Sequence, residues 1–202
     1  MPQVTQLKSN NSKDSLKTIK PLSIEELQQI AHELRISALK MLYKAKSGHT
    51  AGPLGTAEIF STLYFSELNI NPKNPQDPKR DFFFLSNGHI CPILYATLAK
   101  KGFFPETELN KFRQVDSLLQ GHPSIEVPGI ETGAGSLGQG LSIAIGRALS
   151  SRMDNLDTQT YCMTSDGELN EGQTWEAAMM APKYNLANLT WIIDRNNIQI
   201  SG

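Results

Sequence analysis

The sequence has no apolar run approaching the roughly 20 residues that a membrane-spanning helix needs. It also lacks an excess of either charge: 19 Lys and Arg against 20 Asp and Glu leave a net charge of −1. The resulting pI is near 6.4, so neither a membrane nor nucleic acid is an expected partner. Cysteine is scarce. Cys91 and Cys162 are the two, each in an apolar setting and without zinc-like spacing. Buried free thiols in a reducing, cytoplasmic compartment are the natural reading. The first twenty residues have no apolar h-region, so residues 1–20 read as a disordered polar tail. A transit peptide is the alternative, against which Asp14 and the lack of Arg in this segment both speak. No internal repeat and no second domain are visible, and residues 21–202 read as one α/β domain.

The elements follow from periodicity and punctuation. Ser23 and Glu26 have the spacing of a capping box and open a helical pattern over Ser23 to Lys46, with Gly48 suited to end it. A second helix is expected over Thr56 to Leu68, then a loop with three prolines from Asn69 to Lys79. Phe82 to Leu85 reads as a buried strand, and Cys91 to Lys100 as a helix that tolerates Pro92 in its first turn. Leu141 to Leu149 is an apolar helix. Thr160 to Thr164 and Leu189 to Ile193 read as buried strands, and Gly172 to Tyr184 as a helix with Trp175, Ala178 and Met179 at helical spacing. Strand, loop, helix, strand makes a crossover. The strands are then parallel, and both following loops lie at the carboxyl edge, where open α/β sheets bind ligands.

Those loops carry Ser165-Asp166-Gly167 and Asn196-Asn197. Asp166 offers an anionic oxygen and Asn196 a neutral one, a donor set suited to magnesium sharing its sphere with phosphate and water. Turns alone also favour Asp-Gly and Asn-Asn. Three of the four histidines stand beside glycine, in Gly48-His49, Gly88-His89 and Gly121-His122. Glycine lets a backbone approach a ligand closely. His32, mid-helix and outside any motif, reads as an ordinary residue. Glu131-Thr132-Gly133-Ala134-Gly135-Ser136-Leu137-Gly138-Gln139-Gly140 runs into a helix, an arrangement expected to present free N–H groups and a positive dipole end. It contains no Gly-Lys-Ser/Thr, so it is not a P-loop.

In order along the chain, these segments resemble the N-terminal, diphosphate-binding part of a transketolase. Phe112-Arg113-Gln114, Gly121-His122-Pro123 and Asp194-Arg195-Asn196-Asn197 add to the likeness, which runs from about Pro21 to the last residue. Ser165 departs from the usual Gly-Asp-Gly but leaves Asp166 in place. The resemblance implies an α/β thiamine-diphosphate-binding fold, mostly parallel sheet with helices on both faces, truncated at the C-terminus. It implies thiamine diphosphate and Mg2+ as cofactors and sugar phosphates as substrates. Asp166, Asn196 and the backbone carbonyl of Ile198 would hold the metal. Gly167 and His89 would meet the diphosphate, and Gly135 and Leu137 the aminopyrimidine. His49 and His122 would be catalytic, beside the sugar hydroxyls, although His122 also reads as a loop residue fixed by Pro123.

Glu171 and Glu176 would lie at a subunit interface, or simply on a solvated helix face. Family members continue beyond the position of Gly202, so a split N-terminal subunit cut short, or a fragment, is expected. Activity would then need a C-terminal transketolase subunit or domain, in a homodimer or heterotetramer. Another thiamine-diphosphate enzyme, such as deoxyxylulose-phosphate synthase, and a non-catalytic remnant are the alternatives.

Overall fold

A computed structural model describes residues 22–197; the tail 1–20 and Ile198 lie outside the described residues. Strands β1 (Phe82–Leu85), β2 (Thr160–Ser165) and β3 (Leu189–Asp194) form one parallel sheet in that order. Leu85 pairs with Met163 and Ser165 with Asp194, so all three strands end at the same edge.

The strands sort their side chains by period. Phe83, Leu85 and Met163 face one core, shared with α1 (Ile24–Ala45), α3 (Ala57–Thr62) and α4 (Cys91–Lys101). Phe82, Phe84 and Cys162 face the other, shared with α5 (Gln139–Met153) and α6 (Gly172–Lys183). Both faces are covered, which is why β1 is a continuous apolar run. The expected α/β architecture is therefore present. Cys91 and Cys162 are both buried and unpaired, and burial raises the thiol pKa of each.

The capping box of α1 forms as its sequence predicts: Ser23 Oγ accepts from Glu26 N–H at 3.2 Å, and Glu26 Oε2 accepts from Ser23 N–H at 2.7 Å. Three expectations are corrected. The left-handed cap of α1 is Lys46 (φ 51°), not Gly48, whose own positive φ of 122° turns the chain toward His49. The helix expected over Thr56 to Leu68 is present as α3 running on into a π-helical turn, Leu63–Glu67, but a short helix that the sequence pattern does not show stands before it. This is α2 (Ala51–Gly55), separated from α3 by Thr56. Pro53 in the first turn of α2 is the start signal in the sequence.

The third correction concerns α6 and β3. Trp175 and Met179 are 51 % and 66 % exposed, and the face packed inward is Thr174 and Ala177. Ala178, Met180 and Ala181 also pack against the core shared with α5, whereas Trp175 and Met179 point outward. Strand β3 is only partly buried, because among the described residues it has a neighbour on one side only.

Candidate functional site

Among the described residues, His89, Asp166 and Asn196 follow the carboxyl ends of β1, β2 and β3. After β2, the chain enters a 3-10 turn, Asp166–Asn170. Ser165 is extended there (φ −85°, ψ 163°), so the position does not require glycine and the departure from Gly-Asp-Gly costs nothing. One carboxylate oxygen of Asp166, Oδ2, accepts from Asn197 N–H at 2.7 Å. The other, Oδ1, is buried with no partner. A buried, unpaired carboxylate oxygen is costly unless a cation takes it. Asn196 follows β3, and its Nδ2 donates to Asp194 Oδ2 at 3.3 Å. Asn197 takes a left-handed φ of 58°, which asparagine tolerates, and so turns its N–H toward Asp166.

Among the described residues no cluster of three His, Cys, Asp or Glu is arranged as a complete metal cage. The fit is instead to a hard cation that takes one carboxylate here and fills its sphere with phosphate oxygens and water.

Two loops bring the histidines together. The rings of His49 and His89 lie 5.0 Å apart and tilted by 60°. Gly88 is in close contact with the third: a Cβ there would come within 3.2 Å of His122 Cδ2 and 2.6 Å of Ala134 Cβ. Burial lowers the pKa of His89, and the neighbouring His49 and His122 lower it further. The pKa of His122 is lowered by partial desolvation of its ring, then by Arg113 and His49. Both imidazoles therefore stay neutral below the pH at which a free imidazole would protonate.

Arg113 is a residue whose part the sequence does not disclose. Its backbone is left-handed (φ 61°), its N–H donates to Leu119 O at 2.8 Å, and its guanidinium packs under Gly121 and donates to Ser47 Oγ. It thus ties the His49 loop to the His122 loop. Arg113→Gln should raise the His122 pKa toward the ordinary imidazole value, because a repelling charge is removed. An NMR titration of His122 in variant and parent checks this; an unchanged midpoint would show that Arg113 has no electrostatic hold on the ring.

The Gly-rich segment departs from expectation. Two of its N–H groups at the start of α5 are already taken within the protein. Gly138 N–H donates to Glu168 Oε1 at 2.7 Å, and Gly140 N–H donates to Ser86 Oγ at 3.0 Å. Gly138 (φ 81°) lies so close to Glu171 Cβ and Thr174 Oγ1 that no side chain fits. Gly135 and Leu137 are exposed at this edge. Gly135 has open space around it, and Leu137 O accepts a long bond of 3.4 Å from Gln173 Nε2. A cavity of about 260 Å3 lies between this segment and the end of β1, lined by Ser86, Gly133, Gly135, Gln139 and Ile143 among others.

Glu131, at the head of the same segment, forms a two-pronged ion pair with Arg80 (Nη2 to Oε2, 2.8 Å) and so anchors the loop. Gly167 is half-buried beside Asp166, while Glu171 and Glu176 are both exposed at the start of α6.

Asn87 is a second residue that sequence reasoning misses. It is fully buried at the end of β1, and neither amide atom has a partner. Its place in Ser86-Asn87-Gly88-His89 is the available signal.

Fold and edge together define a parallel α/β domain that gathers its candidate site residues at the strand ends. The chain belongs to the transketolase family: residues 26–202 match the family described as transketolase, thiamine diphosphate binding domain. One subunit of the apulose-4-phosphate transketolase of Phocaeicola vulgatus is 42% identical over 181 residues, which are 90% of this chain and 64% of that protein. Human transketolase is 40% identical over 176 residues, 87% of this chain and 28% of that one. The crystal structure of transketolase from Campylobacter jejuni superposes with a TM-score of 0.85 at 38% identity, covering 90% of this chain and 30% of that one. The chain thus spans about two thirds of the split-enzyme relatives and under a third of the long transketolases. Among the described residues no helix is long and apolar enough to cross a membrane.

Proposed function

We propose that this chain supplies the metal- and diphosphate-holding half of a transketolase, which moves a two-carbon ketol unit from a ketose phosphate to an aldose phosphate. The observation that carries the reading is the buried, unpartnered Asp166 Oδ1, on the edge shared with Asn196 and the three histidines, in a chain of this family.

Thiamine diphosphate, when bound, supplies the electron sink for the ketol carbanion. Asp166 Oδ1 and the Asn196 amide oxygen would hold Mg2+, with the third protein ligand given to Ile198 by the resemblance alone. Gly167 gives the diphosphate room beside the main chain, and His89, partly desolvated, donates to it. The Gly135 and Leu137 backbones meet the aminopyrimidine. His49 and His122 stand at the open side of the cleft. As imidazoles they can accept and return protons at the sugar hydroxyls, and the lowered pKa of His122 favours its neutral form there.

The pyrimidine half of the site comes from a partner. Split relatives, the apulose-4-phosphate enzymes among them, are named as subunits, which supports a partner that carries the C-terminal part. The exposed faces of Glu171, Trp175, Glu176 and Met179 on α6 suit the contact between copies in a dimer or heterotetramer. The balanced charge fits a cytoplasmic enzyme of pentose phosphate metabolism.

The test uses the chain assembled with its partner, thiamine diphosphate and Mg2+. Ribose phosphate paired with xylulose phosphate should turn over, and pyruvate should not. Turnover with pyruvate alone would refute ketol transfer.

A further inference from the structure

Glu168 is a fully buried carboxylate that the proposed chemistry does not use. It stands two residues after Asp166 and turns away from the open edge. A charge buried this deeply persists only when its oxygens are filled by donors. Oε1 accepts from Gly138 N–H at 2.7 Å and from the Ser86 hydroxyl. Oε2 accepts from Ser165 N–H at 2.8 Å, with the Ser165 hydroxyl at 3.5 Å. Ser86 Oγ in turn accepts from Gly140 N–H at 3.0 Å. One carboxylate therefore joins the ends of β1 and β2 to the start of α5.

The location has a consequence for the cofactor. The N-terminus of a 15-residue helix attracts an anion. Helix α5 has no side-chain cap of its own, because its N-cap is Gly138. Glu168 fills that position from within the protein. With the Gly138 and Gly140 N–H groups taken, the start of α5 does not offer them to the diphosphate, which is left to the Asp166 loop. The same bonds fix Gly138, one residue after Leu137, against the strand ends.

We propose that Glu168 is a positioning residue: its carboxylate substitutes for a ligand anion at the start of α5 and thereby sets the Gly135–Leu137 backbone for the ring end of the cofactor. The inference rests on the placement of that ring under Proposed function.

The test separates the two ends of the cofactor by calorimetric titration of the assembled enzyme, with Mg2+, using thiamine diphosphate and inorganic diphosphate as probes. Glu168→Gln keeps the shape but turns an NH2 group toward a backbone N–H and removes the charge. It should weaken thiamine diphosphate by about tenfold or more, the scale of charge-assisted hydrogen bonds, while inorganic diphosphate changes by less than about twofold. Asp166→Ala should weaken both probes.

Ser86→Ala removes one hydroxyl link and leaves the backbone bonds to Glu168. It should show the same selective loss at smaller size, and it keeps the test available if the glutamine variant folds poorly. Equal loss of both probes in Glu168→Gln, or loss of neither, would overturn the positioning role. A parent enzyme that binds neither probe would instead remove the proposed function itself.

Discussion

Asp166→Ala is expected to abolish Mg2+-dependent binding of thiamine diphosphate in the assembled enzyme. The substitution removes the carboxylate whose buried oxygen Oδ1 has no partner, beside a ligand that carries several negative charges of its own. Groups that merely support a metal ligand are worth about 10–100-fold in affinity, so losing the ligand itself should exceed about 100-fold. Asn196→Ala should cost less, since it removes a neutral oxygen. Asp166→Ala should leave the cofactor-free protein nearly as stable as the parent. It loses the bond from Asn197 N–H, worth about 1 kcal/mol, but it also removes the unpaired buried oxygen Oδ1. Titration with and without Mg2+, together with a melting curve, reads both effects. Parent-like affinity in Asp166→Ala would remove this loop from the site.

His49→Ala and His122→Ala are expected to act on turnover and not on cofactor binding. Both residues are at the rim of the cleft, whereas His89 is partly buried between them and the strand ends. Loss of a positioned proton donor or acceptor costs about 10²- to 10⁴-fold in rate. The kcat of each variant should fall in that range, with thiamine diphosphate affinity close to that of the parent. Steady-state kinetics alongside titration distinguishes the cases: an equal fall in cofactor affinity would place these rings at the diphosphate.

The local grammar of the chain is legible wherever the signal is local. The capping box at Ser23 and Glu26, the phenylalanine run of β1 and the two crossover strands appear where pattern puts them. Helix α2 is the element that pattern misses: five residues, Ala51–Gly55, with two glycines and a proline are too few to show helical periodicity. The outward face of α6 is also hidden. Trp175 and Met179 have core-like spacing, yet the face turned to the core is that of Thr174, Ala177, Ala178 and Met180.

The site divides in the same way. Asp166, Asn196 and the Gly-His pairs are visible as motifs. The role of Glu168 is not, since its partners Gly138 and Ser86 are 30 and 82 residues away. The Gly-rich segment accordingly reads as an open anion cradle, although the N–H groups of Gly138 and Gly140 are already taken. Arg113 belongs to a visible motif, but its contacts with Ser47 and Gly121 depend on two distant loops meeting.

The central claim is that this chain holds the cofactor's metal and diphosphate and that a partner completes the reaction. It is tested most directly by a coupled ketol-transfer assay on the purified chain, alone and mixed with a complementing C-terminal transketolase subunit. The account predicts turnover only in the mixture, and only with both thiamine diphosphate and Mg2+ present. Turnover by the chain alone, at an ordinary enzymatic rate of about 1–10³ per second, would contradict it.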